Sequence, residues 1–298
     1  MYDQVTANKR RSALLVIAFV VVTATVTALV LYVFDFGWSA VAIAVVVAVL
    51  LTWASYWNSD RIALAVSRAK PAPPEQFARY HNLVEGLCIA SGLPPPALYI
   101  VDDAAPNAFA TGRNPRHSAI AVTTGLLDKM DRIELEGVLA HELSHVKNYD
   151  ILVNTIAVTM VGFLTLLADV TLRTLWFSGH RRRDGGNAGA VLAIVGIVLL
   201  LLAPLIGKLM QLAIGRRRES LADVSAVEMT RYPPGLISAL EKLQADTTVV
   251  RSGSRATAHM WIEEPMPRSA EEGHLSRLNH LFATHPPLEE RIAALREL

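Results

Sequence analysis

The stretch that begins at Asp131 reads DRIELEGVLAHELSHVKNYD and contains, from His141 to His145, the pattern HExxH. Asp131, with Glu134 three residues later, is typical of a capping box and predicts that a helix begins there. Residues four apart lie on one face of a helix, so the imidazoles of His141 and His145 can reach one zinc ion. Glu142 lies beside them, where it can take a proton from a water molecule whose pKa zinc lowers to about 7.

A third metal ligand is predicted farther along the chain, where residues 217–223 read RRESLAD. Glu219 would complete the two-histidine, one-glutamate set of catalytic zinc sites and leave a fourth position for water. Asp223, one helical turn later, could accept a hydrogen bond from a ligand histidine and fix its tautomer. The plainer alternatives are a helix with two surface histidines, and an ion pair between Glu219 and Arg216 or Arg218.

Composition narrows the class of protein. The chain has 298 residues, of which 52% are hydrophobic and 18% are charged, and its mean hydropathy is +0.34. An ordinary soluble domain has about 25% charged residues, so a purely soluble chain is disfavoured. A disordered chain is disfavoured because the apolar content is too high for one. The net charge of +1 gives no electrostatic basis for binding nucleic acid. The single cysteine, Cys88, excludes an internal disulfide and a zinc site built from several thiolates.

Four uncharged runs predict membrane-spanning segments. Residues 12–34 and 36–59 each match the roughly 20 residues that cross a hydrocarbon core, and residues 185–207 form another run of this kind. Residues 151–168 are a weaker candidate, because Asp169 follows directly and is costly near the bilayer centre. The pattern predicts two transmembrane helical hairpins, the first retained rather than cleaved as a signal peptide.

Basic residues predict the orientation of the first hairpin. A basic cluster, residues 9–11, precedes its first helix, and Arg61, Arg68 and Lys70 follow its second. Both outer ends are therefore expected in the cytoplasm. The loop of the second hairpin carries three arginines, residues 181–183, although it would lie outside the cytoplasm if both helices crossed the membrane. Basic residues are disfavoured on that side, so the sequence leaves open whether the second hairpin fully spans the membrane.

The polar regions contain further helix and strand signals. Residues 75–91 predict an amphipathic helix that Gly92 ends. The stretch from Leu98 to Val101 predicts a short apolar strand. Residues 107–110 and 118–123 flank a turn-rich stretch, which predicts a β-hairpin.

Together these motifs resemble the HtpX family of bacterial membrane zinc endopeptidases, which is related to the CAAX prenyl proteases. The order along the chain is an apolar hairpin, the HExxH helix, a second apolar hairpin and RESLAD. Further matching stretches are NAFATG at residues 107–112, VTTGL at residues 122–126 and THPPLEER at residues 284–291. Several separated motifs in the right order make the resemblance specific.

The resemblance implies a mainly α membrane protein, in which two transmembrane helical hairpins accompany a gluzincin-like zinc protease domain with a small β-sheet. In this sequence the hairpins are residues 1–70 and 151–214. The catalytic domain has a first part with the HExxH helix, residues 71–150. Its second part, residues 215–298, supplies the third zinc ligand.

Site residues are implied as well. One zinc ion per subunit is expected at His141, His145 and Glu219, with Glu142 as the general base. The chemistry creates a tetrahedral oxyanion, for which a second donor beside the zinc is expected.

By resemblance, His285 and Asn107 line the site as catalytic residues, and Arg291 lies close behind them. His285 precedes two prolines that suit the first turn of a helix, so it is expected at a rigid helix entrance. The plainer interpretation makes His285 a helix cap and Arg291 an ion-pair partner.

A protease holds its substrate extended, and an exposed strand edge supplies backbone partners for that. Residues 118–123 are therefore predicted to accept the substrate as an added strand. The strand residues concerned are Ile120, Ala121, Val122 and Thr123.

The expected function is cleavage of membrane or misfolded proteins at the cytoplasmic face of the cell membrane, as part of protein quality control and the stress response. The lipid bilayer and an ATP-dependent membrane protease are the implied partners. The alternative is a non-catalytic zinc-binding membrane scaffold or adaptor, although a structural zinc site has no use for Glu142 as a base. An intramembrane protease is disfavoured, because Glu136, Lys147 and Asp150 charge the HExxH segment.

Overall fold

The structure, a computed structural model, describes most of residues 71–150 and 215–298 and part of the first predicted hairpin. The described residues are 38–153, 155, 216–248, 261–262, 286–298 and isolated positions between 6 and 28. Within them, no helix combines the length and the apolar character that crossing a membrane requires. Apart from its first residues, the predicted second hairpin lies outside the described residues, as does His285.

The described residues are mostly helical, with one small sheet, as predicted. The helices are α1 Trp38–Trp57, α2 Ser59–Val66, α3 Ala78–Ser91, α4 Thr124–Lys129, α5 Arg132–Lys147, α6 Arg216–Thr230, α7 Pro233–Ala245 and α8 Leu288–Leu295. The strands are β1 Lys70–Pro71, β2 Ala97–Val101, β3 Ala108–Asn114 and β4 His117–Thr123. Gly92 ends α3 in the left-handed conformation, with φ at 69°, which a glycine adopts without steric cost.

The strands form one sheet in the order β1-β2-β4-β3. β2 runs parallel to β4, with Ala97 opposite Ala119, and β3 pairs antiparallel with β4, with Ala108 opposite Val122. The predicted strand at Leu98 to Val101 and the predicted β-hairpin are therefore confirmed.

The prediction that substrate adds along residues 118–123 is wrong, because β4 has no free edge. It pairs with β2 on one side and with β3 on the other, and Ile120, Ala121 and Val122 are fully buried. Thr123 instead caps α4, where its hydroxyl accepts a hydrogen bond from the backbone nitrogen of Leu126 at 3.1 Å. A peptide cannot add to a strand whose backbone groups on both sides are already paired.

The outer strand beside β4 is β3, and a short segment covers its beginning. The backbone nitrogen of Ile262 donates to the carbonyl of Ala108 at 3.0 Å. The preceding Trp261 is fully buried, and its ring packs against Phe109 at a centroid distance of 4.7 Å. This contact leaves the first residue of β3 already paired on its outer side.

α5 is the central helix of the domain. The Asp131 carboxylate accepts hydrogen bonds from the backbone nitrogens of Ile133 and Glu134, and Glu134 Oε2 accepts one from Asp131 N at 2.8 Å, so the predicted capping box is confirmed. Every residue from Gly137 to Val146 is buried, because β3, α3, α6 and α7 pack around this helix. The polar side chains on α5 are therefore held away from bulk water.

α5 and α7 approach each other closely at two glycines. A Cβ atom on Gly137 would lie 2.8 Å from the backbone nitrogen of Leu236, and one on Gly235 would lie 2.9 Å from the carbonyl oxygen of Ile133. Any side chain at these positions would push the two helices apart.

A buried carboxylate joins the same two helices. Glu134 is 3% exposed, and its two oxygens accept hydrogen bonds from Ser238 Oγ and Lys242 Nζ, both at 2.6 Å. Burial acts to raise the pKa of Glu134. The hydrogen bonds from Lys242, Ser238 and the backbone of Asp131 outweigh burial and hold the pKa below its ordinary value.

Replacing Glu134 by glutamine should destabilise the protein by about 1.5–3 kcal/mol, the value typical of hydrogen bonds to a charged group. Because the folded-state pKa is lowered, the carboxylate's contribution is complete above its unfolded pKa of about 4.3 and disappears as the pH falls through the folded-state pKa. Thermal unfolding of Glu134→Gln should therefore show a lowered Tm at pH 7 and a smaller difference from wild type below pH 4.

The matched control is Glu241→Gln, which breaks an exposed ion pair with Arg296 and should cost less than about 1 kcal/mol. Equal effects of the two substitutions at pH 7 would contradict the role given to Glu134.

Candidate metal centre

Two imidazoles of α5 face each other inside the protein. His141 and His145 are one helical turn apart, and their ring centroids lie 4.7 Å from each other. The two Nε2 atoms are separated by 3.2 Å. Both residues are buried, with exposed fractions of 1% and 8%. The alternative of two surface histidines is therefore wrong.

Glu219 of α6 completes the cluster. Its Oε2 lies 3.5 Å from His141 Nε2, and its Oε1 lies 3.6 Å from His145 Nε2. One donor atom from each residue lies within 4.8 Å of the others, and all three residues are buried. The structure thus brings together the three predicted ligands from two helices that are far apart in the sequence.

These separations fit a metal ion held in tetrahedral geometry. Zinc–nitrogen and zinc–oxygen bonds of about 2.0–2.2 Å place neighbouring ligand atoms of a tetrahedron roughly 3.3–3.6 Å apart. The observed distances of 3.2, 3.5 and 3.6 Å lie at or near this range. The three side chains can hold one ion with little rearrangement.

The charge of the cluster also fits a divalent cation. Its buried carboxylates belong to Glu142, Asp150, Glu219 and Asp223, and its buried guanidinium groups belong to Arg218 and Arg291. With neutral histidines, two negative charges are in excess. Buried charge without compensation is strongly unfavourable, and a divalent cation between the ligands would supply the compensation.

A carboxylate and an arginine support His141. Asp223 Oδ1 lies 2.9 Å from His141 Nδ1. Arg291 of α8 binds the same carboxylate through two hydrogen bonds, from Nε at 2.9 Å and from Nη2 at 2.6 Å. Arg291 Nη1 also lies 3.8 Å from Glu219 Oε2. Asp223 and Arg291 thus lie directly behind the candidate metal ligands. The position of Asp223 was expected from its spacing to Glu219, and that of Arg291 from the resemblance.

A second carboxylate, which sequence reasoning missed, supports His145. Asp150 Oδ2 lies 3.2 Å from His145 Nδ1, and Asp150 Oδ1 lies 3.4 Å from Arg218 Nη1. The sequence had marked Asp150 only as a charged residue at the end of the helix. The signal for its role was available in part, because a ligand histidine commonly donates its second nitrogen to a carboxylate.

Neighbouring charges shift the titration of both histidines. Burial acts to lower the pKa of His145, but the negative charges of Glu219, Asp150 and Glu142 raise it to about 9. Burial and Arg291 act to lower the pKa of His141, and Asp223 and Glu219 reverse that effect, so the net shift is upward. In the metal-free protein the cluster therefore attracts positive charge.

Glu142 lies between the two histidines in sequence and is 2% exposed. Its negative charge contributes to the raised pKa values of His145 and of the buried phenol Tyr80. Burial is the main cause for Tyr80, whose hydroxyl donates to the carbonyl of Ile120 at 2.9 Å. The carboxylate of Glu142 is therefore held inside the domain next to the candidate metal ligands.

Asn107 and Cys88 each interact with groups other than the three candidate ligands. Asn107 precedes β3 and is buried, and its Oδ1 accepts a hydrogen bond from the backbone nitrogen of Ala108 at 3.0 Å. Its catalytic role stays a prediction, as does that of His285. Cys88 is buried in α3, and burial together with Glu85 raises the pKa of its thiol to about 11. Such a thiol is a poor metal ligand at neutral pH.

Comparison with known proteins identifies relatives over the whole chain. The family model described as peptidase family M48 matches residues 74–298. A protein named Protease HtpX homolog from Caldanaerobacter subterraneus subsp. tengcongensis is 41% identical over 100% of this chain and 98% of its own length. The protein of the same name from Lactobacillus helveticus is 40% identical and covers both chains completely.

Among solved structures, the crystal structure of S. mikatae Ste24p is similar, with a TM-score of 0.48 and 19% identity over 89% of this chain and 60% of that one. The resemblance drawn from the sequence motifs is confirmed by the family model and by the relatives of full length. The chain belongs to peptidase family M48, and it is a metalloprotease.

Proposed function

We propose that this metalloprotease is a membrane-anchored zinc endopeptidase that cleaves membrane or misfolded proteins at the cytoplasmic face of the membrane. The observation that carries the proposal is the convergence of His141, His145 and Glu219 beside the buried carboxylate of Glu142. Two imidazoles and one carboxylate are the ligand set of many catalytic zinc sites, in which the fourth position is left to water.

Zinc held by these residues would polarise the scissile carbonyl and lower the pKa of water to about 7. His141, His145 and Glu219 fix its position. Glu142 accepts the proton of the attacking water at its carboxylate and returns it to the nitrogen of the leaving amine. His285 and Asn107 are proposed as the donors that stabilise the negative oxygen of the tetrahedral intermediate.

The membrane anchor is supported by the four uncharged runs of the sequence and by the surface of α1. Trp38, Leu50 and Trp53 on this helix are 88%, 57% and 63% exposed. Large apolar side chains at such exposure favour contact with lipid over contact with water. In this proposal residues 1–70 and 151–214 are the two hairpins.

The remaining parts, residues 71–150 and 215–298, form the catalytic domain. The resemblance supports a role in protein quality control and the stress response, with an ATP-dependent membrane protease as partner. The active site would lie close to the bilayer, because α5 leads directly into one predicted hairpin helix and α6 follows the other.

Glu142→Gln should retain zinc and lose proteolysis, because an amide cannot accept the proton of the attacking water. The full chain, purified in detergent, would be assayed for zinc content and for cleavage of unfolded casein. The rate is expected to fall at least about a hundredfold, the lower end of the range for general-base catalysis.

The matched control is Glu136→Gln on the same helix, a partly exposed position that should leave both readouts unchanged. Near-wild-type cleavage by Glu142→Gln would contradict its role as base. A wild-type protein that binds zinc and cleaves no protein would favour the scaffold alternative.

The orientation can be tested with reporters. A reporter that is active only in the cytoplasm, fused after Leu298, should be active, because both outer ends of the first hairpin are proposed to be cytoplasmic. The same reporter fused after Gly37, between the two uncharged runs of this hairpin, should be inactive. The reverse pattern would contradict the proposed topology while leaving the metal site untouched.

A further inference from the structure

The chain makes an unusual turn where α5 ends. The helix stops at Lys147, and Tyr149 adopts φ of 60°, a left-handed conformation that costs a residue with a large side chain about 1–2 kcal/mol. Asp150 follows at once and is 2% exposed. Residues in such sparsely populated conformations persist where the surrounding structure requires them.

The result of the turn is that Asp150 reaches back to His145. Its Oδ2 lies 3.2 Å from His145 Nδ1, on the side of the imidazole opposite Nε2. The Nε2 atom faces His141 and Glu219. An acceptor at Nδ1 holds the proton on that nitrogen and leaves Nε2 free to bind a metal ion.

Asp150 is held in turn by Arg218. The second carboxylate oxygen, Oδ1, lies 3.4 Å from Arg218 Nη1, and Arg218 is 8% exposed. Arg218 directly precedes Glu219 on α6. The ion pair therefore joins the end of α5 to the beginning of α6, which flank residues 151–217 in the sequence.

Each candidate ligand histidine faces an aspartate that an arginine contacts, by two hydrogen bonds in the case of Asp223 and by an ion pair at 3.4 Å in the case of Asp150. His141 faces Asp223, which Arg291 binds, and His145 faces Asp150, which Arg218 binds. Asp223 and Arg218 both belong to the RESLAD stretch, residues 218–223, whereas Arg291 and Asp150 lie outside it. The arrangement at His145 uses an aspartate from the end of α5 and an arginine from the beginning of α6.

We infer that Asp150, held by Arg218, is a positioning residue that orients His145 for metal binding. The inference rests on the proposed zinc site. It means that the candidate metal centre depends on an ion pair between the end of α5 and the beginning of α6, the two elements that flank the predicted second hairpin in the sequence. Displacing Asp150 or Arg218 would therefore change how His145 is oriented.

The test measures zinc affinity and needs no substrate. The full chain in detergent is stripped of metal and titrated with zinc against a chromophoric chelator, and the Tm of the metal-free protein is recorded in parallel. Asp150→Asn should weaken zinc binding about 10–100-fold, the usual effect of removing such a partner. Arg218→Met should weaken it about tenfold, within the same range.

The double variant tests whether Arg218 acts through Asp150. If it does, adding Arg218→Met to Asp150→Asn should weaken zinc binding by less than a further twofold. The matched control is Asp246→Asn, which removes an aspartate from the ion pair with Lys129, away from the metal cluster. Its zinc affinity should equal that of the wild type.

Unchanged zinc affinity in Asp150→Asn, with a lowered Tm of the metal-free protein, would assign Asp150 a purely structural role and overturn the inference. If Asp150→Asn does not fold, unchanged affinity in Arg218→Met would overturn it. Multiplying effects in the double variant would refute the link between the two residues. A wild-type protein that binds no zinc would instead overturn the proposed function.

Discussion

Two imidazole nitrogens 3.2 Å apart, with the carboxylate of Glu219 across from them, define the point around which this domain is arranged. Polar groups at this depth are costly unless they are paired or bind a cation. The cost is offset only if the helices that carry them are fixed with little freedom. The close glycine contacts between α5 and α7 and the carboxylate of Glu134 that joins these helices provide that rigidity.

Two buried arginines then set the charge around the histidines. Arg291 and Arg218 each bind an aspartate that faces one imidazole, so each histidine receives a fixed acceptor at Nδ1. Full neutralisation of the carboxylates by arginines would leave no attraction for a metal ion. When both histidines are neutral, as metal ligands must be, the excess of two negative charges within this cluster keeps that attraction and matches the charge of a zinc ion.

The sequence was sufficient for the features that depend on local spacing. The four-residue interval between His141 and His145, the capping box at Asp131 and the turn between β3 and β4 each follow from a few neighbouring residues. The HExxH and RESLAD motifs also predicted that Glu219 shares a metal site with the histidines of α5, although the two segments are distant in the chain. These features account for the cluster and for most of the secondary structure.

Other features could not be predicted, because they depend on contacts between distant segments. The apolar run of β4 is equally compatible with an edge strand and a central strand, and only the pairing with β2 decides between them. The contact between Asp150 and His145 depends on the left-handed conformation of Tyr149. No sequence pattern predicts this conformation for a tyrosine. Arg218 reaches Asp150 only when α6 packs against α5.

X-ray absorption at the zinc edge of the full chain can establish whether His141, His145 and Glu219 bind one zinc ion. The nearest neighbours of the zinc should be nitrogen and oxygen atoms only, at about 2.0–2.2 Å, with outer-shell scattering from two imidazoles. In His141→Ala, either the zinc should be lost or the imidazole signal should fall to one. A sulfur neighbour near about 2.3 Å, or two imidazoles retained in His141→Ala, would contradict this set of ligands.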